Sequence, residues 1–135
     1  MNAVSGSSPG NLSSLGRVSV VGGSGFLGLN LCRFLCDAGL EVVAVDPRPL
    51  NPVAIADRPV EHLPGISEEA FAGSSVVFHA AGSSEPASSN THLQEDLEGT
   101  VGLTLDVITA AEQAEVSRIV HVSSGGTVYG PDDWE

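Results

Sequence analysis

Residues 17–28, Arg-Val-Ser-Val-Val-Gly-Gly-Ser-Gly-Phe-Leu-Gly, restrict the fold of this chain more than any other stretch. The Val-rich start reads as a buried strand over Arg17 to Val21. Gly22, Gly23 and Gly25 follow at once, where a tight turn needs backbone that carries no Cβ. Beyond them Leu27, Leu31, Phe34, Leu35 and Ala38 recur at helical spacing, and Gly39 supplies the stop. Strand, glycine turn and helix in that order form the first unit of a βαβ fold. The unclaimed N–H groups at such a helix start, together with the positive end of its dipole, make a seat for a pyrophosphate. Two spacings coexist, Gly23-x-Gly25-x-x-Gly28 and Gly22-x-x-Gly25-x-x-Gly28. Both fit a dinucleotide fingerprint, provided that a strand precedes and a helix follows.

The rest of the chain repeats the alternation. Glu41 to Val45 is a second short strand, broken by Asp46-Pro47-Arg48-Pro49. The prolines argue against a long helix over residues 49–57, and Arg58 to Leu63 reads as a third strand, at a sheet edge because of Pro59. Ser67 caps a short helix with Glu68 and Glu69 in its first turn. Ser75 to Ala81 is a fourth, continuously apolar strand that contains His79, and Ser83 to Asn90 a polar loop. A long helix is expected from His92 to Ala114, with Leu97, Val101, Leu105, Ile108 and Ala111 on one stripe; Val116 to Val122 is the fifth strand. This order implies right-handed crossovers. The expected fold is therefore α/β, a Rossmann-type doubly wound parallel sheet of about five strands in the order 3-2-1-4-5. Aromatic residues make up only 4% of the chain, so the core must come from Val, Leu, Ile and Ala, as strands buried on both faces require. Residues 1–16, rich in Ser, Gly and Asn, are expected to be a disordered tail with no signal-peptide character, and 17–135 the Rossmann domain, expected to be incomplete and to lack its C-terminal half.

Charge narrows the partners. Seventeen acidic against five basic residues give a formal net charge of −12, which repels nucleic acid and anionic membranes. No apolar run is long enough to span a bilayer. Cys32 and Cys36 lie at i, i+4 in one helix, where a disulfide is geometrically poor and further metal ligands are missing; they read as small apolar residues near the core. Nothing demands an oxidising compartment, and a small-molecule partner in the cytoplasm is expected.

Four segments carry chemistry. The glycine turn is the first. The second is Asp46, 21 positions past Gly25 at the end of the second strand, where a carboxylate bonds the adenosine ribose hydroxyls. Such a carboxylate repels the 2′-phosphate of NADP and favours NAD, although the Arg48 guanidinium, two residues on, could bind that phosphate. The third is Val76 to Gly82, whose small residues Ala80, Ala81 and Gly82 let a cofactor pass close to the backbone at the switch point of the sheet. His79 reads as a core histidine bonded to backbone before it reads as catalytic, and His62, His92 and His121 default to surface or packing roles. The fourth is Val122-Ser123-Ser124-Gly125-Gly126-Thr127-Val128-Tyr129-Gly130: its hydroxyls would face the nicotinamide and hold a substrate hydroxyl or carbonyl, or else form an ordinary Ser/Gly turn.

Together these segments resemble the extended short-chain dehydrogenase/reductase superfamily, over residues 17–130, and within it the NAD-dependent epimerase/dehydratase family with its UDP-glucose 4-epimerase-like enzymes. Val77-Phe78-His79-Ala80-Ala81 is similar to that family's fourth-strand pattern, and Ser123 to Gly130 to its fifth-strand signature. The resemblance implies that Gly22, Gly25, Phe26 and Leu27 meet a pyrophosphate, Asp46 the adenosine ribose, and Ala80, Ala81 and Gly82 the length of NAD, with NADP less favoured; Gly28, from the fingerprint, and Arg48, beside Asp46, complete the residues expected at the cofactor. It also implies a nucleotide-sugar substrate and, for the intact enzyme, a homodimer.

Several positions depart from the family's pattern. Val21 stands where the family has Thr, Leu63-Pro64-Gly65 where an Asp-containing motif meets adenine, and Asp96 where Asn precedes Gly99-Thr100. The catalytic Ser/Thr position is Gly125, so Ser124 or Thr127 would have to serve. Tyr129 is the only tyrosine and no Tyr-x-x-x-Lys follows, so the proton-transferring pair and the substrate-binding region are absent from these residues. The expectation is the NAD-binding part of a nucleotide-sugar epimerase or dehydratase that works by reversible hydride transfer and is inactive alone. The alternatives are a 3β-hydroxysteroid dehydrogenase-like or dihydroflavonol reductase-like oxidoreductase, and a non-catalytic NAD-binding module or gene fragment.

Overall fold

A computed structural model describes residues 12–82, 94 and 98–123. Five strands alternate with helices: β1 Arg17–Val21, α1 Phe26–Asp37, β2 Glu41–Val45, α2 Pro52–Ile55, β3 Val60–Leu63, α3 Glu68–Phe71, β4 Ser74–His79, α4 Leu103–Gln113 and β5 Arg118–His121. A 3₁₀ turn, Leu12–Leu15, precedes β1, and a π-helical turn, Glu98–Gly102, leads into α4. All four strand pairings are parallel, in the order β3-β2-β1-β4-β5. The doubly wound sheet expected from the alternation is thus the observed one. Strand β3 lies at an edge, where Pro59 just ahead of it deprives no interior ladder of a donor.

The two sheet faces bury two cores. Val18, Val20, Val42, Ala44 and Val76 pack beneath Cys32 and Leu35 of α1 and Ile55 of α2. Val21, Val43, Val45 and Val77 pack on the other face beneath Ala70 and Phe71 of α3 and Val107, Ala110 and Ala111 of α4. Alternation along each strand supplies both layers, so nearly every strand residue must be apolar. The buried polar strand residues are Ser19, Ser74 and His79; the Ser19 hydroxyl donates to the Ala70 carbonyl (2.9 Å) and accepts from Ser74 (2.8 Å), so that β1, β4 and α3 share one satisfied polar contact. Arg17 joins the starts of three strands through Glu41 and, at 2.8 Å, Glu61.

Two helical stripes differ from expectation. Leu27 and Phe34 of α1 are 55% and 58% exposed, and the face turned to the sheet is Gly28, Cys32 and Leu35. Small residues there let the helix axis approach the strands closely, and this outweighs the bulk of the alternative stripe. Cys32 and Cys36 are free thiols at that face, as expected; burial pushes Cys32 up to about 12. In α4 the buried residues are Val107, Ala110 and Ala111, while Leu105 and Ile108, and Val101 in the turn before them, are exposed. Of the expected stripe Ala111 is thus buried, and Val107 and Ala110 join it against the sheet. Leu97 lies outside the described residues. Of the expected tail, Leu12–Leu15 forms the 3₁₀ turn, and the Leu15 carbonyl accepts from Ser75 at 2.6 Å.

Ambiguous and capped segments resolve by local hydrogen bonding. The Asn51 side chain accepts from Val53 N–H (3.0 Å) and Ala54 N–H (3.2 Å), and Pro52 takes the first helical position, so α2 is one short turn. Ser67 caps α3 by accepting from Ala70 N–H at 3.2 Å.

Candidate functional site

A cleft of about 580 Å³ opens at the carboxyl ends of β1, β2 and β4. Gly22, Gly25, Phe26 and Leu27 form one wall, Asp46 and Arg48 the second, and Ala80, Ala81 and Gly82 the third. This is the point where the chain's crossovers change direction, from β1–β2–β3 on one side to β4 and β5 on the other. Gly28 alone of the ten residues expected at such a site does not line it. It lies buried beneath the turn, where an added Cβ would overlap the Gly22 carbonyl oxygen and stand 2.7 Å from its carbon. Gly22 has φ +82° and faces the end of β4, with 2.8 Å between a hypothetical Cβ and Ala81 N. The turn is stitched to both neighbouring strands: Gly22 N–H donates to Val45 O (2.8 Å) and Ala80 N–H to Val21 O (2.9 Å).

Helix α1 begins over this cleft. Leu29 N–H donates to Gly25 O, the first bond of the helix, so the N–H groups of Phe26, Leu27 and Gly28 have no carbonyl one turn back. No acidic side chain sits in that turn to occupy them. An anion is the natural complement.

Asp46 is 3% exposed and accepts four hydrogen bonds. Oδ1 takes Arg48 N–H (2.9 Å) and Arg48 Nε (3.2 Å); Oδ2 takes Ser24 N–H (3.1 Å) and Arg48 Nη2 (3.3 Å). Burial opposes its charge, but the hydrogen bonds from Arg48 and Ser24 outweigh that and hold the carboxyl below its usual range. The Arg48 side chain, 69% exposed, is the solvent-facing partner of this pair. The Arg48 carbonyl is held in turn by Ser24 Oγ (2.7 Å) and His62 Nε2 (3.1 Å).

Sequence reasoning missed several participants. Ile66, after β3, and Leu103, from α4, line the cleft, beside Pro64 and Gly65, which stand where the resemblance puts the family's adenine motif. His62, assigned by default to a surface or packing role, bonds the carbonyls of Asp46 and Arg48. Nothing local in the sequence marks it, because its contact depends on the β2–β3 register that pairs Ala44 with His62. The remaining expected residues, Ser124 and Thr127, and with them Gly125 and Tyr129, lie outside the described residues.

His79 is a buried core histidine, but its partner is a side chain where backbone was expected. Thr104 Oγ1 donates to Thr100 O at 2.7 Å, so it accepts from His79 Nε2–H at 3.0 Å. Nδ1 is then the unprotonated nitrogen, buried and without a partner among the described residues. Burial and the His121 ring, 4.8 Å away centroid to centroid, lower the pKa of His79 from 6.5. A buried histidine with a depressed pKa leaves the unfolded chain to take up the proton first as pH falls. Stability from this group is therefore complete above about 6.5 and declines as pH drops below it. Urea midpoints measured from pH 7.5 to about pH 5.5 should fall in the parent chain and fall less in His79→Gln, which keeps an N–H donor for Thr104 without the titration; parallel curves would contradict this.

The chain is similar to known proteins over most of its length. The model of a family described as NAD dependent epimerase/dehydratase matches residues 18–134. A 3-beta-hydroxysteroid dehydrogenase of Mycolicibacterium neoaurum is 33% identical over 127 residues, which cover 88% of this chain and 35% of that protein. The solved structure of MoeE5 in complex with UDP-glucose and NAD superposes with a TM-score of 0.75 at 32% identity, covering 87% of this chain and 39% of that one. A solved UDP-galactose 4-epimerase gives a TM-score of 0.70 at 34% identity, covering 87% and 41%. The chain thus spans well under half the length of these proteins.

Proposed function

The chain belongs to the NAD-dependent epimerase/dehydratase family, and on that premise we propose that it is the NAD-binding part of an enzyme acting on a nucleotide sugar. The observation that carries this reading is the convergence of the unclaimed α1 N–H groups, the Gly22–Ala81 approach and the Asp46 carboxylate on one cleft. The residues fit NAD. The glycine turn and the Phe26 and Leu27 N–H groups bind the pyrophosphate, and Gly28 keeps the helix start pressed onto the turn. Asp46 accepts the adenosine ribose hydroxyls, with Arg48 beside it, and Ala80, Ala81 and Gly82 give the cofactor a surface free of side-chain bulk. When bound, NAD supplies a reversible hydride acceptor. NAD is favoured over NADP because the Asp46 carboxylate stays charged throughout the neutral range and repels a 2′-phosphate.

In the intact enzyme, Ser124 or Thr127 would hold the substrate hydroxyl that becomes a carbonyl. A Tyr-x-x-x-Lys pair is not among these residues, so proton transfer has no assigned group here, and the reading expects no turnover from them alone. No helix among the described residues is long and apolar enough to cross a membrane. The reading places a homodimeric enzyme in the cytoplasm.

Isothermal titration of the 135-residue chain with NAD and with NADP tests the reading. NAD should bind and NADP should bind more weakly, with no conversion of UDP-glucose to UDP-galactose. Absence of NAD binding at millimolar concentration, or robust turnover by this chain, would overturn it. A second reading, a hydroxysteroid dehydrogenase, is supported by the 33% identity to the Mycolicibacterium neoaurum protein. NADH formation from a 3β-hydroxysteroid, against none from a UDP-sugar, by the longer gene product would select it.

A further inference from the structure

We infer that His62 is a positioning residue for dinucleotide discrimination: from β3 it pins the loop that carries Asp46 and Arg48. The inference rests on the proposed NAD site and adds to it a residue that never touches the cofactor.

His62 Nε2 lies 2.9 Å from Asp46 O and 3.1 Å from Arg48 O. Both partners are carbonyls, which only accept, so Nε2 carries the hydrogen and is shared between them. Asp46 N–H is already tied to the Leu63 carbonyl at 3.1 Å, so the start of the loop is fixed to β3 through backbone and its continuation through His62. Ser24 supplies the opposing clamp from the glycine turn, its Oγ on Arg48 O and its N–H on Asp46 Oδ2. Pro47 and Pro49 have no N–H of their own to anchor the loop.

The pinned backbone decides where two charges stand. With Arg48 N–H held at Oδ1, the carboxylate is oriented from below by two backbone donors, and the Arg48 guanidinium covers its exposed side. Ribose hydroxyls can replace the side-chain donors while the backbone donors remain. Released from His62, the loop loses the Arg48 N–H bond first, the carboxylate turns, and preference for the unphosphorylated ribose weakens.

Three measurements decide this. In the parent chain, at a pH above imidazole titration, long-range ¹⁵N–¹H spectra should show His62 as the Nε2–H tautomer; the Nδ1–H tautomer overturns the inference. Next, the Asp46 ¹³Cγ titration midpoint should rise in His62→Phe and in the slimmer His62→Met, and return toward the parent value in His62→Gln, whose amide N–H can donate in the same place. Finally, the NADP-to-NAD ratio of dissociation constants should fall about fivefold in the donorless variants, the scale of one lost hydrogen bond, and be largely retained in His62→Gln. Folded donorless variants with unchanged Asp46 titration and unchanged ratio overturn the inference. If the parent chain binds neither dinucleotide, the proposed function fails, while the tautomer and the Asp46 titration still decide the role of His62.

Discussion

Replacing Gly28 with alanine is expected to cost about 3 kcal/mol of stability and to weaken NAD binding on the order of 100-fold. The new methyl would overlap the Gly22 carbonyl oxygen and lie 2.9 Å from Gly23 Cα. Every atom it meets is backbone, so no rotamer change relieves the contact. Either the first turn of α1 rises off the glycine turn or the turn itself opens. Both break a designated geometry: Gly22 N–H on Val45 O below, and the Phe26 and Leu27 N–H groups aimed into the cleft. The matching control is Gly102→Ala. Gly102 has helical angles, φ −58° and ψ −50°, and open space around a hypothetical Cβ. Alanine there should be neutral or stabilise by up to about 1 kcal/mol. Urea denaturation of the two variants beside the parent chain checks the pair, and titration with NAD checks the binding loss. Equal midpoints for Gly28→Ala and Gly102→Ala would show that α1 tolerates displacement from the turn.

The contrast between those glycines marks what the sequence could disclose. Spacing identified the turn because one steric demand, backbone against backbone, recurs wherever a strand feeds a helix over a phosphate. The sheet order was legible for a similar reason: alternating elements and right-handed crossovers leave few arrangements. Asp46 was legible from its distance along the chain. Helix faces were legible only in part. Leu35 and Ala111 face the sheet as expected, but Leu27, Phe34, Leu105 and Ile108 do not, and the sheet takes Gly28, Cys32 and Ala110 in their place, because close approach rewards small side chains and periodicity counts only polarity. The network around Asp46 was hidden for a different reason. Ser24, Arg48 and His62 meet only once β1, β2 and β3 are in register, and no local pattern encodes that meeting.

Removal of the Asp46 carboxylate separates its two roles. Asp46→Ala should weaken NAD by about 10- to 100-fold, the scale of hydrogen bonds to a charged group. It should also lower stability by about 1–3 kcal/mol, because the Ser24 and Arg48 N–H groups lose a buried acceptor. NADP should suffer less than NAD, since the carboxylate that repels its phosphate is gone and the freed Arg48 guanidinium can pair with it. Arg48→Ala should do the reverse. Its Nε and Nη2 occupy the carboxylate oxygens that the ribose hydroxyls need, so NAD affinity should hold or rise while NADP affinity falls. The Asp46 carboxyl is held below its ordinary range, so its stabilising contribution and the proposed ribose contact are both expected at neutral pH and should disappear only as pH falls through that lowered value. NAD affinity in the parent chain should accordingly stay level between about pH 8 and pH 5. Calorimetric titration of each variant with both dinucleotides reads all of these effects together. If Asp46→Ala weakened NAD and NADP equally while Arg48→Ala changed neither, the pair would be a loop brace with no part in choosing the cofactor.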